Sequence, residues 1–190
     1  MIIGRVLSPV HSLGPGNRVC LWMQGCSKKC DGCISPDLQN PCGINVNESR
    51  LAELLAQVAQ NNQCTGLTIS GGDPFEQTVA LLKLLKLVRN QFDDILVYTG
   101  FRLDDIANGE TGEEGIKCLE YIDVLIDGRY IKTLNSPKCV LRGSSNQTIV
   151  YLNNNKRTLY EAYMEKGRII ETFVHDNKTI VTGILDEVER

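Results

Sequence analysis

The chain has no surplus of either charge. Twenty basic residues stand against 23 acidic ones, a formal net charge of −3 over 190 residues, so no basic field exists to attract nucleic acid. It has no long apolar run either: nothing approaches the ~20 residues needed to span a bilayer. Met1-Ile2-Ile3-Gly4-Arg5 begins no signal peptide. A soluble, cytoplasmic protein is therefore expected, with neither membrane nor nucleic acid as partner. Histidines number two, His11 and His175, and neither has a partner signature, so neither is assigned a role. The 190 residues suffice for one sizeable core but not for eight βα repeats. No side chain stands out as an acid or base for substrate chemistry.

What the chain does have is cysteine, eight in all. In a reducing compartment such clustering reads as metal binding rather than as a disulfide framework. Three of the eight fall in Gly25-Cys26-Ser27-Lys28-Lys29-Cys30-Asp31-Gly32-Cys33, with spacing C-x₃-C-x₂-C. Three thiolates from one tight loop suit an iron–sulfur cube. A structural zinc site would want a second paired arm, whereas Cys42, Cys64, Cys118 and Cys139 are scattered singly. The bland alternatives are a structural metal knuckle or a disulfide cluster. Three ligands for four irons leave one iron open, which implies chemistry at the metal.

Along the chain, Met1 to Leu7 is β-prone up to Pro9 and the Gly14-Pro15-Gly16 turn. In Arg18 to Gln24 both alternating sets are largely apolar, as in a strand buried on both faces, with Cys20 as a core thiol. Residues 34–46 should be irregular. Asn47 can cap a helix with Leu51, Leu54, Leu55 and Val58 on one face. Strands are expected at Gly66 to Ser70, Ile95 to Tyr98 and Ile122 to Ile126. Between them lie a helix through Leu81, Leu85 and Val88, a short helix from Leu103 to Asn108, and an acidic loop from Gly109 to Gly115. This βαβ alternation predicts an α/β fold: a partial (β/α) barrel with a mostly parallel sheet. Thr158 to Lys166 reads as a short helix. Arg168 to Val174 and Lys178 to Leu185 read as a C-terminal β-hairpin turning at His175-Asp176-Asn177. The expected division is a barrel core over 1–152 and an extension packed on it over 153–190. In such sheets ligands sit beyond the carboxyl ends of the strands, which is where the cysteine loop, Gly71-Gly72-Asp73-Pro74, Thr99-Gly100 and Asp127-Gly128 fall.

The cysteine loop resembles the radical S-adenosylmethionine (SAM) superfamily, whose hallmark is C-x₃-C-x₂-C. Together with Gly14-Pro15-Gly16-Asn17-Arg18-Val19 and Gln24-Gly25-Cys26, it is similar to the activating-protein family of anaerobic (class III) ribonucleotide reductase. Ser70-Gly71-Gly72-Asp73-Pro74 resembles that superfamily's G-G-E-P motif, with Asp73 where glutamate is usual. The segments Asp127-Gly128-Arg129-Tyr130 and Arg142-Gly143-Ser144-Ser145-Asn146-Gln147 resemble the family's late motifs. Two features depart from the family: Ser35 stands where asparagine is common after the third cysteine, and the chain continues well past Gln147.

The resemblance implies a [4Fe-4S] cluster on Cys26, Cys30 and Cys33, which would also be the catalytic residues. It implies SAM bound by Ser70, Gly71, Gly72, Asp73, Thr99, Asp127, Ser144, Ser145, Asn146 and Gln147. It further implies an oxidoreductase that cleaves SAM reductively to a 5′-deoxyadenosyl radical and raises a glycyl radical on a large partner, anaerobic ribonucleoside-triphosphate reductase. Flavodoxin would serve as electron donor. Lys28 and Lys29 read either as a solvated pair or as a landing point for that acidic donor. Three readings compete: this activase, a radical SAM enzyme acting on another glycyl-radical enzyme, peptide or small molecule, and a ferredoxin-like carrier. The Gly71-Gly72 loop argues against the carrier, which needs no SAM site.

Overall fold

The computed structural model describes residues 1–175 and 178–185. The elements run β1 (Ile2–Val10), β2 (Arg18–Met23), β3 (Ile44–Asn45), α1 (Glu48–Asn61), β4 (Gly66–Gly71) and α2 (Thr78–Val88). They continue with β5 (Asp94–Tyr98), α3 (Leu103–Ala107), α4 (Gly112–Cys118), β6 (Val124–Asp127), β7 (Thr148–Tyr151), α5 (Arg157–Met164), β8 (Ile170–His175) and β9 (Lys178–Gly183). Among the described residues one sheet has the order β3-β1-β2-β4-β5-β6-β7, and β8 pairs with β9 separately. The centre, β2-β4-β5-β6, is parallel, and the flanking strands are antiparallel. The sheet ends at β3 and β7, so the expected partial barrel is open. No described helix is long and apolar enough to cross a membrane.

Both faces of the central strands are covered, which is why both alternating residue sets of β2 are apolar. Val19, Leu21 and Met23 face outward with Leu67, Ile69, Ile95 and Val97, under Leu51 and Leu55 of α1 and Leu81, Leu84 and Leu85 of α2. The other set faces the concave side in layers set by register. Cys20, Thr68, Leu96 and Val124 align, and Trp22 aligns with Ser70. Burial pushes the Cys20 thiol up to about 12, as expected of a core thiol. At the base of this face lies the buried Arg18, whose guanidinium donates to Thr68 Oγ1, Asp94 Oδ2 and the Pro15 and Leu67 carbonyls. A Cβ at Gly66 would meet that guanidinium at 2.7 Å, so the glycine makes room for it.

The C-terminal segment completes the concave face. Tyr160 of α5 donates to Asp94 Oδ2 at 2.8 Å, and Tyr163 to the His11 carbonyl at 2.7 Å. Both rings belong to the cluster around Leu96, Val124 and Ile126. Phe173 and Ile184 of the hairpin segment pack on the cluster around Cys20 and Trp22. The expected turn residues Asp176 and Asn177 lie outside the described residues.

Four local expectations are corrected. Residues 109–115 do not form one acidic loop, because α4 begins at Gly112 with Glu113 and Glu114 in its first turn, where the helix dipole favours acids. Leu54 is exposed, and α1 buries Ala52 and Ala59 beside Leu51 and Leu55, since small residues let the helix sit close to the sheet. Strand β1 runs through Pro9 to Val10. Pro9 falls where the pairing register shifts and beyond the two-residue contact with β3, so no ladder bond needs its missing N–H. Within 34–46, expected to be irregular, a 3₁₀ turn at Pro36–Leu38 and the short β3 are ordered.

Candidate active site

The site lies beyond the carboxyl ends of β2, β4 and β5. Gly25, with φ +107°, turns the chain out of β2. Its N–H donates to the Leu38 carbonyl and that of Cys26 to the Gln39 carbonyl, both at 2.8 Å. Lys29 and Gly32 also take positive φ, and the Cys33 N–H closes onto the Cys30 carbonyl at 3.2 Å. These turns keep Cys26, Cys30 and Cys33 half-buried. All three line a cleft of about 1150 Å³ together with Ser70, Gly71 and Gly72.

The loop after β4 is bolted to the cysteine loop through backbone. The Gly72 N–H donates to the Met23 carbonyl and the Asp73 N–H to the Gly25 carbonyl, each at 2.8 Å. A Cβ on Gly71 would collide with Met23 backbone and one on Gly72 with the Gly25 carbonyl. The glycines are thus required by strand-to-loop contact.

Asp73 is 1% exposed and fully engaged. Its Oδ1 accepts from the Phe75 N–H and the Thr99 hydroxyl, and its Oδ2 from the Gly100 N–H. The Lys28 ammonium lies 3.0 Å from Oδ2 and 3.2 Å from the centroid of the Phe101 ring, a cation–π contact. Lys28 is only 14% exposed. Neither a solvated lysine nor a surface landing point describes it, whereas Lys29 is exposed. Glu76, missed in the sequence, accepts from the Ser27 N–H and hydroxyl at 2.8 and 2.7 Å. Burial raises the Cys26 thiol above its ordinary value, and the Asp73 and Glu76 carboxylates push the same way.

The remaining candidates form a second knot. Asp127 Oδ2 accepts from the Leu103 N–H and Oδ1 from the Thr148 N–H. Gln147 Oε1 accepts from the Gly143 and Ser144 N–H groups, and its Nε2 donates to the Gly128 carbonyl. The Ser144 hydroxyl accepts from the Ile131 N–H, the Ser145 N–H donates to the Leu134 carbonyl, and Asn146 Nδ2 donates to the Arg129 carbonyl. Of these, Gln147 reaches the cleft lining, as do Ser70, Gly71, Gly72, Asp73 and Thr99. Asp127, Ser144, Ser145 and Asn146 are not among the residues that line it.

A family model described as a 4Fe-4S single cluster domain matches residues 12–150. The anaerobic ribonucleoside-triphosphate reductase-activating protein of Enterobacteria phage T4 is 34% identical over 140 residues, covering 72% of this chain and 85% of its own length. The chain belongs to this family of activating proteins. The counterpart in Haemophilus influenzae is 35% identical over 144 residues, 72% of this chain and 88% of its own. That of Escherichia coli K12 is 30% identical over 148 residues, 73% and 91% respectively. With family membership comes the 4Fe-4S domain, and the three-cysteine loop lies inside the matched segment.

Proposed function

We propose that the chain is the activating enzyme of an anaerobic ribonucleoside-triphosphate reductase, holding a [4Fe-4S] cluster on Cys26, Cys30 and Cys33 and SAM beside it. The observation that carries this reading is the single cleft shared by the three cysteines and the Ser70-Gly71-Gly72 segment. Its volume of about 1150 Å³ exceeds the ~300–1,000 Å³ of ordinary small-molecule pockets. That leaves room for a cluster and a cofactor together. A reduced cluster held on Cys26, Cys30 and Cys33 would supply the single electron for reductive cleavage of SAM seated beside it, the source of the hydrogen-abstracting radical.

The chain's own residues bind and position. Asp73 has no oxygen to spare for a ligand and acts by fixing Lys28, Thr99 and Gly100 around the cleft. Ser70, Gly71, Gly72 and Gln147 offer backbone and amide groups at the cleft surface, while Asp127, Ser144, Ser145 and Asn146 hold Gln147 and its neighbours in place. With no acid or base needed, the protein mainly supplies orientation. Lys29 is an exposed cation on the cysteine loop and is the candidate contact for an acidic flavodoxin.

The test is SAM cleavage by the anaerobically reconstituted protein with dithionite, read as 5′-deoxyadenosine. Alanine at Cys26, Cys30 or Cys33 should abolish both bound iron and product, while Cys42→Ala and Cys64→Ala should retain both. Loss of the cluster in Cys42→Ala with retention in Cys33→Ala would overturn the site.

A further inference from the structure

The hairpin β8–β9 lies beyond residue 150, where the family match stops, yet it is firmly fastened. The Glu171 carboxylate accepts the N–H groups of His11 and Ser12 at 2.8 and 2.7 Å. The buried Ser12 hydroxyl lies 2.9 Å from that of Thr182. Arg168, at the hairpin's base, donates to the Leu185, Ser136 and Cys139 carbonyls and to Asn135 Oδ1. Phe173 and Ile184 pack against the concave-face cluster.

Alternation along the strands leaves Ile170, Thr172, Val174, Thr179 and Val181 on the opposite face. Thr172 pairs with Val181 and Val174 with Thr179, so they form one continuous patch. All five are β-branched and uncharged, and Ile170, Val174 and Val181 are 54%, 74% and 44% exposed. Single exposed apolar residues need no explanation, but a contiguous patch on a rigid element does. What meets this patch follows from the cleft. Residues 179–185 line the same cleft as the three cysteines. A hydrogen atom can be taken only from a substrate held at contact distance within that cleft. A polypeptide delivering a glycine there meets β9 as one wall of its path.

We propose that the outer face of the hairpin is a docking surface for the glycyl-radical partner, receiving an uncharged, extended segment adjacent to its glycine. This rests on the function proposed above. The hairpin then serves twice: Ile180, Thr182 and Ile184 complete the cleft wall, and the other face, whose Thr179 and Val181 reach the cleft edge, captures the partner. Because the element lies outside the matched family segment, the docking contact belongs to this chain and its own reductase.

Val174→Asp and Ile170→Asp place a charge on the patch, and neither side chain lines the cleft. Leu54→Asp, on the exposed side of α1, is the control. SAM cleavage with dithionite and no partner should stay at the wild-type level in all three. The KM for the reductase in glycyl-radical formation should rise about tenfold or more in the two hairpin variants, as at an interface hot spot, and not in the control. Binding of the reductase without SAM, by calorimetry, should weaken in parallel. Equal binding by wild type and Val174→Asp would overturn the proposal. So would a wild-type dimer that Val174→Asp dissociates with no change in KM, because a second copy would then own the patch. If the reductase binds wild type and not the variants, yet no radical forms, docking stands and the proposed function fails.

Discussion

The Lys28 ammonium lies 3.0 Å from Oδ2 of Asp73, joining the loop that carries the cysteines to the loop that follows β4. Gly100 contributes by omission, since a Cβ there would collide with the Lys28 stem. Asp73 stands where the wider superfamily has glutamate. Its shorter carboxylate is met by a lysine reaching down from between Cys26 and Cys30.

Replacing Lys28 with methionine should strip the counter-charge from a carboxylate that is 1% exposed. The expected cost is ~1–3 kcal/mol, that of a buried acceptor losing a charged partner. The cluster loop should loosen, giving less iron after reconstitution and faster loss of the cluster in air. Reduction by flavodoxin should not depend on Lys28. Lys29→Glu, by contrast, should leave iron content intact and slow reduction by flavodoxin, most at low salt. Stopped-flow reduction of the two variants checks this; a flavodoxin-specific defect in the Lys28 variant alone would contradict it.

Gly72 gives a prediction of a different kind. A Cβ there would strike the Gly25 carbonyl, so Gly72→Ala should push the cysteine loop outward, with an overpacking cost of ~1–3 kcal/mol. Iron and acid-labile sulfide should fall together with SAM cleavage. Full iron with impaired cleavage alone would mean that the glycine serves the ligand and not the loop.

The difference between these two residues shows what a sequence discloses. The cysteine spacing and the paired glycines are local patterns with one geometric meaning each, and the doubly apolar β2 announces burial on both faces. Lys28 is opaque because a lysine pair reads as solvated. Its burial depends on Asp73, Glu76 and Phe101, up to seventy-odd positions away. A helical turn through Ile116 and Leu119 is legible in the sequence, but the start of α4 at Gly112 is not; Gly115 is there because Thr111 leaves no space for a Cβ. The place of α5 on the concave face rests on the contact of Tyr160 with Asp94, which no periodicity reveals.

The hairpin latch is sensitive to acid. Burial alone would raise the Glu171 carboxyl, but its bonds from His11 and Ser12 outweigh that and hold it below the usual glutamate range. A depressed folded-state value means that the stabilisation is complete above the unfolded value and is lost as pH falls through the folded one. Amide exchange in β8 and β9 should therefore speed up relative to the central sheet as pH drops below ~4. Glu171→Gln should show the faster exchange already at neutral pH. Equal protection in the variant and the wild type would remove the carboxylate from the latch.

A glycyl radical made by this chain on a reductase is read directly by anaerobic electron paramagnetic resonance. The reductase should be mixed with reduced protein and SAM, then frozen. The account predicts a doublet from coupling to the remaining glycine α-hydrogen, absent when SAM is left out and absent with Cys30→Ala. Consumption of SAM with no protein-centred radical, while a peptide or small molecule is modified instead, would contradict it.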